Sequence, residues 1–475
     1  MFIGGQRVQA LSGRTRDVRN PATGEVVART AWGAAEDVEC AAEDAARAFA
    51  SWSRLPPRER GRILVEASAG IDARIDAIAA VLTAEQGKPL AEARHEVARL
   101  SEQIRWYAEL ADKIYGEQVP LADARQIGLT LREPLGVVGA IAPWNYPLTL
   151  ARNKLAPALA AGNTMLLKPA STTPLSSVAV AEALAEAGLP PGVLNVVVGP
   201  GVGDMVVRHP LIRKIGFTGS TLVGKHVMAA AAETLKKVVL ELGGSDPCIV
   251  LDDADLDAAV PAIMNGRFAN CGQTCRAVKR LYVQSGIYEE MLHRLAQHVG
   301  AITVGNGAHA GVRMGPMHTA EQRDEVEQQI ADALHRGAVV VAGGTRPSGQ
   351  AFAAGWFLNP TLLANAPDDS RVLAEEVFGP CLPVVRIDDL NDGLRRANTS
   401  SFGLGASIWT KDITAAWRAI RALESGFVWV NCEPSAHYKL PFGGVKQSGL
   451  GRENGLQGLL EYTEIKSVMF GGLGT

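Results

Sequence analysis

Two cysteines stand four residues apart in FANCGQTCRAVKR (268–280): Cys271 and Cys275, among glycine, glutamine and threonine. A thiol in such a setting can be a reactive nucleophile, half of a disulfide, a metal ligand or a small core residue. C-x3-C without a second cysteine or histidine pair is poor zinc spacing, and His95-Glu96 opens no HExxH motif, so no metal site is expected. Further candidates follow short apolar runs. Asn145 lies between two prolines in APWNYP (142–147) and can donate its amide to a developing oxyanion, or close a turn locally. Glu241 precedes the two glycines of ELGG (241–244) and is a candidate general base, or a cap or salt-bridge partner. Lys168, in LLKPAST (166–172), can reach a ribose or phosphate; a solvated lysine is the commoner case. GFTGSTLVGKHV (216–227) reads as a strand turning into a helix, where small residues admit an anionic ligand to the helix N-terminus. Gly216, Gly219 and Gly224 depart from GxGxxG spacing, so the turn is a phosphate site or simply structural.

These residues need elements to hold them. Residues 35–115 repeat apolar positions every three to four residues, as in RILVEASAGIDARIDAIAAVL, and predict helices. From 136 the rhythm becomes strand and helix in alternation: GVVGAIAP, TMLLKP, NVVVG, KIGFTG, KVVLELGG and CIVL, with helical stretches such as LSSVAVAEALAEAG between. Such alternation predicts a doubly wound parallel sheet, which binds ligands at the carboxyl ends of its strands. A second α/β series runs from KRLYVQ near 279 to GFVWVN at 426–431. The last stretch, EYTEIKSVMF, alternates like a strand; it lies on its own domain's edge or is donated to another subunit. A net charge of −3 over 475 residues gives no reason to expect nucleic acid or an anionic membrane as partner. With no signal-like N-terminus, no run of 18 apolar residues and six scattered cysteines, a cytoplasmic location with free thiols is expected.

The combination of an amide donor, a lysine, a phosphate-type turn, a carboxylate and a thiol at strand ends resembles the aldehyde dehydrogenases. REPLGVVGAIAPWNYP, LAAGNTMLLKPA, GVLNVVVGPG, GFTGST, LELGG, GQTC, EEVFGP, FGLGASIWT, WVN and PFGGVKQSGLGRE carry the likeness over essentially the whole chain. The resemblance implies a Rossmann-like, doubly wound cofactor domain (1–115 and 135–243), a second α/β catalytic domain (244–446) and a small β oligomerisation element (116–134 and 447–475). It implies that Cys275 is the nucleophile and Cys271 a packing residue or bystander thiol. Asn145 would hold the oxyanion, Glu241 would activate water, Glu453 would relay protons and Lys154 would support the site. NAD or NADP would be bound by Ala142, Pro143, Trp144, Lys168, Ser171, Gly201, Phe217, Gly219, Ser220, Leu242, Glu376 and Phe378. Ser171 stands where NAD-specific members often carry a glutamate; a serine can hydrogen-bond a 2′-phosphate that a glutamate would repel, so NADP should be accepted.

The substrate implied is a small aldehyde, oxidised to the acid through a thiohemiacetal and a thioester. Succinate semialdehyde dehydrogenases carry an arginine eight residues after the asparagine; here that position is Asn153, with Arg152 one place earlier, which argues against a carboxylate clamp there. CEPSAHYKL (432–440), with Glu433, Ser435, His437 and Tyr438, is expected to border the substrate tunnel and suggests a hydroxylated or otherwise polar aldehyde. The alternatives are an acylating enzyme using coenzyme A, against which Glu241 speaks, and a catalytically silent binding member of the family. A homodimer or homotetramer is expected.

Overall fold

A computed structural model describes residues 1–471 of the chain. VVGAI, one of the apolar runs, forms the strand Val137–Ile141 and is buried along its whole length, as a central parallel strand covered by helices on both faces must be. Around it lies an eight-stranded sheet. Its parallel centre runs Leu194–Val196, Thr164–Lys168, Val137–Ile141, Ile212–Thr218 and Lys237–Glu241 across the sheet. The chain builds outward in one direction from Val137–Ile141, then returns to its other side with Ile212–Thr218. That reversal opens a crevice at the carboxyl ends of these two strands, where a doubly wound sheet takes its ligand. Gly201 begins the short helix Val202–Arg208, which follows Leu194–Val196.

Helices close both faces. Ala35–Trp52 buries Val38, Ala41, Ala42, Ala45 and Trp52, spacings that set one face of the helix toward the sheet. Pro147–Ala160 begins with a proline, which has no N–H to leave unpaired in the first turn, and buries twelve of its fourteen residues. It runs from the carboxyl end of Val137–Ile141 and carries Arg152, Asn153 and Lys154.

The second sheet has seven strands, with Asp246–Val250 and Val278–Gln284 at its centre. All its pairings are parallel except that of the edge strand Val339–Ala342. Val278–Gln284 is buried almost throughout although it contains Lys279 and Arg280. The chain passes from the first sheet to the second between Glu241 and Asp246, across Gly243 and Gly244.

A third, three-stranded sheet pairs Thr463–Phe470 antiparallel with Ile127–Pro134 along eight residues, from Thr463↔Pro134 to Phe470↔Ile127. The terminal strand therefore finds its partner within its own chain. The segment 447–460, grouped above with this element, lies elsewhere: Gly449–Leu450 pairs with Lys237–Glu241 at the edge of the first sheet, and Gly455–Leu460 packs on Pro147–Ala160. The hydrogen bonds of a two-residue edge strand give no periodic signal, which hides this placement in the sequence. Residues 472–475 of the expected element lie outside the described residues. Among the described residues no helix is long and apolar enough to cross a membrane.

Candidate active site

A cavity of about 830 Å³ opens between the two sheets, and Asn145, Glu241 and Cys275 all line it. Cys275 stands in the loop between Leu256–Phe268 and Val278–Gln284. That loop turns sharply: Asn270, Cys271 and Gly272 hold φ of +50°, +58° and +70°. Left-handed backbone at two non-glycine residues costs on the order of 1–3 kcal/mol each and persists only where the surroundings impose it. They do so here. The Asn270 N–H donates to the Glu92 carboxylate at 3.0 Å, and its amide donates to the Asn145 carbonyl at 2.8 Å. Gln273 donates to the Asn270 carbonyl at 2.9 Å and accepts from the His318 N–H at 2.7 Å. The Asn145 amide donates to the Gln273 carbonyl at 2.9 Å, leaving its second hydrogen for a ligand in the cavity.

The half-buried Cys275 thiol is pushed up to about 12 by burial, with Lys279 the strongest opposing influence. Cys271 is fully enclosed, its sulfur 3.7 Å from that of Met317, and burial raises it as well. It does not line the cavity. All six cysteines are free thiols.

Glu241 ends its strand with both carboxyl oxygens buried and without a hydrogen-bond partner among the described residues. Burial first, then the nearby Glu453, push this carboxyl well above the usual range. Lys154 is wholly enclosed and donates to Glu453 at 2.6 Å and to the Thr218 hydroxyl at 2.6 Å. A Cβ at Gly216 would sit 3.0 Å from the Lys154 Cγ, so the bare backbone there makes room for the lysine stem. Glu453 also accepts from the Asn153 amide at 2.9 Å, and Asn153 accepts from Gln103 at 3.3 Å. Thus Glu241, Glu453, Lys154 and Asn153 form one buried polar group reaching the cavity.

Of the expected cofactor residues, Ala142, Lys168, Phe217, Gly219 and Ser220 stand at or near the carboxyl ends of Val137–Ile141, Thr164–Lys168 and Ile212–Thr218. The Ala142 N–H donates to the Lys168 carbonyl at 3.1 Å, and the Gly219 N–H donates to the Glu241 carbonyl at 3.0 Å. Ser220 caps Thr221–Ala232, whose N-terminus faces this edge. Phe217 is buried beneath Gly219. Burial alone lowers Lys168, with no acidic neighbour contributing. A lysine in that position and a helix N-terminus fit the phosphates and ribose of a dinucleotide. Trp144 lies between His318, stacked at 4.6 Å, and Phe378, edge-on at 5.7 Å. The Glu376 carboxylate accepts the Gly244 N–H at 3.1 Å and binds Lys279. Leu242 packs against Gly224.

The sequence argues against a carboxylate clamp because Arg152 stands one residue before the clamp position, yet Arg152 lines the cavity. One residue turns a helix by about 100°, but a long arginine stem still reaches the space that Asn153 leaves by turning to Glu453. Arg152 is 7% exposed, its Nε and Nη1 have no hydrogen-bond partner among the described residues, and burial lowers it to about 10. The nearby carboxylates are engaged elsewhere: Glu96 accepts from Lys88 at 2.5 Å and from the N–H groups of Leu148 and Thr149 at 3.0 and 2.8 Å, and Glu102 accepts from Arg99 at 3.0 Å. Glu433, Ser435 and His437 of the 432–440 loop line the cavity; Tyr438 instead packs under Arg99 at 4.8 Å. Lys279, His318 and Glu96 were missed. The available signal for Lys279 was two consecutive cations in an otherwise apolar strand, each of which needs buried acceptors.

The family model described as "Aldehyde dehydrogenase family" matches residues 8–468. Among curated proteins, 3-sulfolactaldehyde dehydrogenase of Pseudomonas putida is 44% identical over 99% of this chain and 97% of that protein. An NADP(+) succinate-semialdehyde dehydrogenase of Escherichia coli K12 is 42% identical over 99% and 97%. Among solved structures, betaine aldehyde dehydrogenase from Staphylococcus aureus, in complex with NAD+, superposes with a TM-score of 0.95 at 37% identity, covering 98% of this chain and 94% of that one.

Proposed function

Since the chain belongs to the aldehyde dehydrogenase family and is an NAD(P)-dependent enzyme that oxidises aldehydes to acids, we propose that it does so through Cys275, on aldehydes bearing an anionic group at their far end. The observation that carries this reading is one cavity with Asn145, Glu241 and Cys275 in its wall and, in the same wall, the buried Arg152, whose Nε and Nη1 have no hydrogen-bond partner among the described residues.

The Cys275 thiol, which burial keeps protonated near neutral pH, loses its proton to water in the cavity as its sulfur attacks the aldehyde carbon. The oxyanion takes the second hydrogen of the Asn145 amide, an interaction stronger in the tetrahedral species than with the aldehyde. When bound at the crevice, the nicotinamide supplies the hydride acceptor. Loss of hydride from the carbon leaves a thioester on Cys275. Glu241, as carboxylate, takes a proton from water, which attacks the thioester carbonyl and releases the acid and the sulfur. Glu453 and Lys154, joined at 2.6 Å, set the charge around Glu241. Lys168, Ser171, Ser220 and Glu376 would hold the dinucleotide, and Trp144, Leu242 and Phe378 would enclose its nicotinamide end. Because Glu241 supplies the hydrolytic base, coenzyme A is not needed to clear the thioester.

The anion preference follows from burial. A buried arginine with two nitrogens unpartnered among the described residues gains most from a carboxylate or sulfonate brought by the ligand. The two curated relatives above are named for aldehydes that carry such groups. The test is a panel of paired aldehydes, succinate semialdehyde against butanal, with wild type and Arg152→Gln. The reading predicts that the substitution raises KM for the charged aldehyde tenfold or more, about 1.4 kcal/mol, and leaves butanal unchanged. Equal effects on both, or none, would remove the anion subsite.

A further inference from the structure

We propose that Lys279 is a positioning residue: it ties the nucleophile loop and the Glu376 carboxylate to the Gly243–Gly244 crossing, and its ammonium charge favours the thiolate of Cys275. This rests on the assignment of Cys275 as nucleophile.

Lys279 is fully enclosed in Val278–Gln284, four residues beyond Cys275. Its three ammonium hydrogens meet three acceptors: the Gly244 carbonyl at 2.6 Å, the Cys275 carbonyl at 2.9 Å and a Glu376 carboxylate oxygen. These acceptors come from three separate segments. Gly244 belongs to the crossing that starts with Glu241, Cys275 to the nucleophile loop, and Glu376 to the segment bordering the nicotinamide end. The same Glu376 oxygen accepts the Gly244 N–H, so crossing and carboxylate are joined twice. The Phe378 ring, edge-on to Trp144, lies 5.4 Å from the ammonium. Arg280, the neighbouring cation, is occupied differently: it donates to the Ser245 and Ala397 carbonyls at 2.9 and 3.0 Å and plays no part at the thiol.

The charged groups facing Cys275 are Lys279, Glu376, Asp246 and Arg276. Lys279 and Arg276 favour the thiolate; Glu376 and Asp246 oppose it. Arg276 also donates to the Pro434 carbonyl, outside the group that Lys279 gathers. Removing the charge of Lys279 should therefore make the thiol less acidic, and removing that of Glu376 should make it more so. Simple structural damage would not move the two variants in opposite directions.

The experiment follows alkylation of Cys275 by iodoacetamide against pH in the purified full chain, read by peptide mass spectrometry, without substrate. Lys279→Gln keeps a hydrogen-bond donor and loses the charge; Lys279→Met loses both. Both are expected to slow alkylation at a given pH about tenfold or more, and Glu376→Gln is expected to speed it. KM for the dinucleotide should rise more in Lys279→Met than in Lys279→Gln, while KM for the aldehyde holds. Should Lys279→Met fail to fold, the opposed rate changes of Lys279→Gln and Glu376→Gln decide the matter. An unchanged alkylation rate in Lys279→Gln, or changes of the same sign in Lys279→Gln and Glu376→Gln, would overturn the proposal. A Cys275→Ala protein that keeps full activity would instead overturn the catalytic assignment, independently of Lys279.

Discussion

Glu241 enters the cavity with a carboxyl that burial and Glu453 both push upward. A base raised in this way is protonated over more of the neutral range, so water activation should gain as pH rises through its titration. On the proposed mechanism the acidic limb of the kcat profile reports that group. Glu453→Gln removes the like charge and leaves the cations Lys154 and Arg452 to act on Glu241. The limb should then move to lower pH, which a rate profile between pH 5 and 10 measures; a shift to higher pH would contradict this electrostatic account. Ser171 supports a second expectation at this scale. Ser171→Glu should lower kcat/KM for NADP relative to NAD by tenfold or more, since a carboxylate would repel the 2′-phosphate. Steady-state kinetics with both dinucleotides reads it.

At the scale of elements, chemistry depends on how closely a strand end and a helix N-terminus approach. A Cβ at Gly224 would lie 2.3 Å from Leu242 Cδ2, so Gly224→Ala must displace Leu242, next to Glu241, or the helix Thr221–Ala232. Overpacking of this kind costs about 1–3 kcal/mol. The variant should melt lower, with a raised KM for the dinucleotide, and calorimetry with kinetics would check both. The sequence shows these elements well where one force dominates. VVGAI and CIVL read as buried strands because apolar runs of that length have few alternatives, and the GQTC and ELGG turns are visible through their small residues. Less legible were arrangements set by tertiary hydrogen bonding. Asn153 donates to Glu453, while its neighbour Arg152 is the residue with unpartnered nitrogens, among the described residues, at the cavity wall. Lys279 looks like a surface lysine until its three acceptors, 35, 4 and 97 residues away, are seen together. Gly449–Leu450 joins the first sheet through only two paired residues.

The whole molecule sets two largely parallel sheets so that Glu241, at the carboxyl end of a strand of one, and Cys275, in a loop of the other, line one cavity. Its third sheet leaves Thr463–Phe470 at an edge, paired on one side only among the described residues, with Ile465, Met469 and Phe470 at least half exposed. Such an edge needs a cover, and a second copy of the chain would supply one, as expected for a homodimer or homotetramer. Ile465→Lys with Met469→Lys should then lower the mass found by light scattering while activity per folded subunit persists; an unchanged mass would place any subunit contact elsewhere. The central claim is that acyl transfer passes through one sulfur. It is tested most directly by incubating Glu241→Gln with aldehyde and dinucleotide, quenching in acid and mapping the digest by mass spectrometry. The account predicts one reduced dinucleotide per active subunit in a first burst and an acyl group on the peptide carrying Cys275. An acyl group on Cys271, or a burst with no adduct on that peptide, would contradict it.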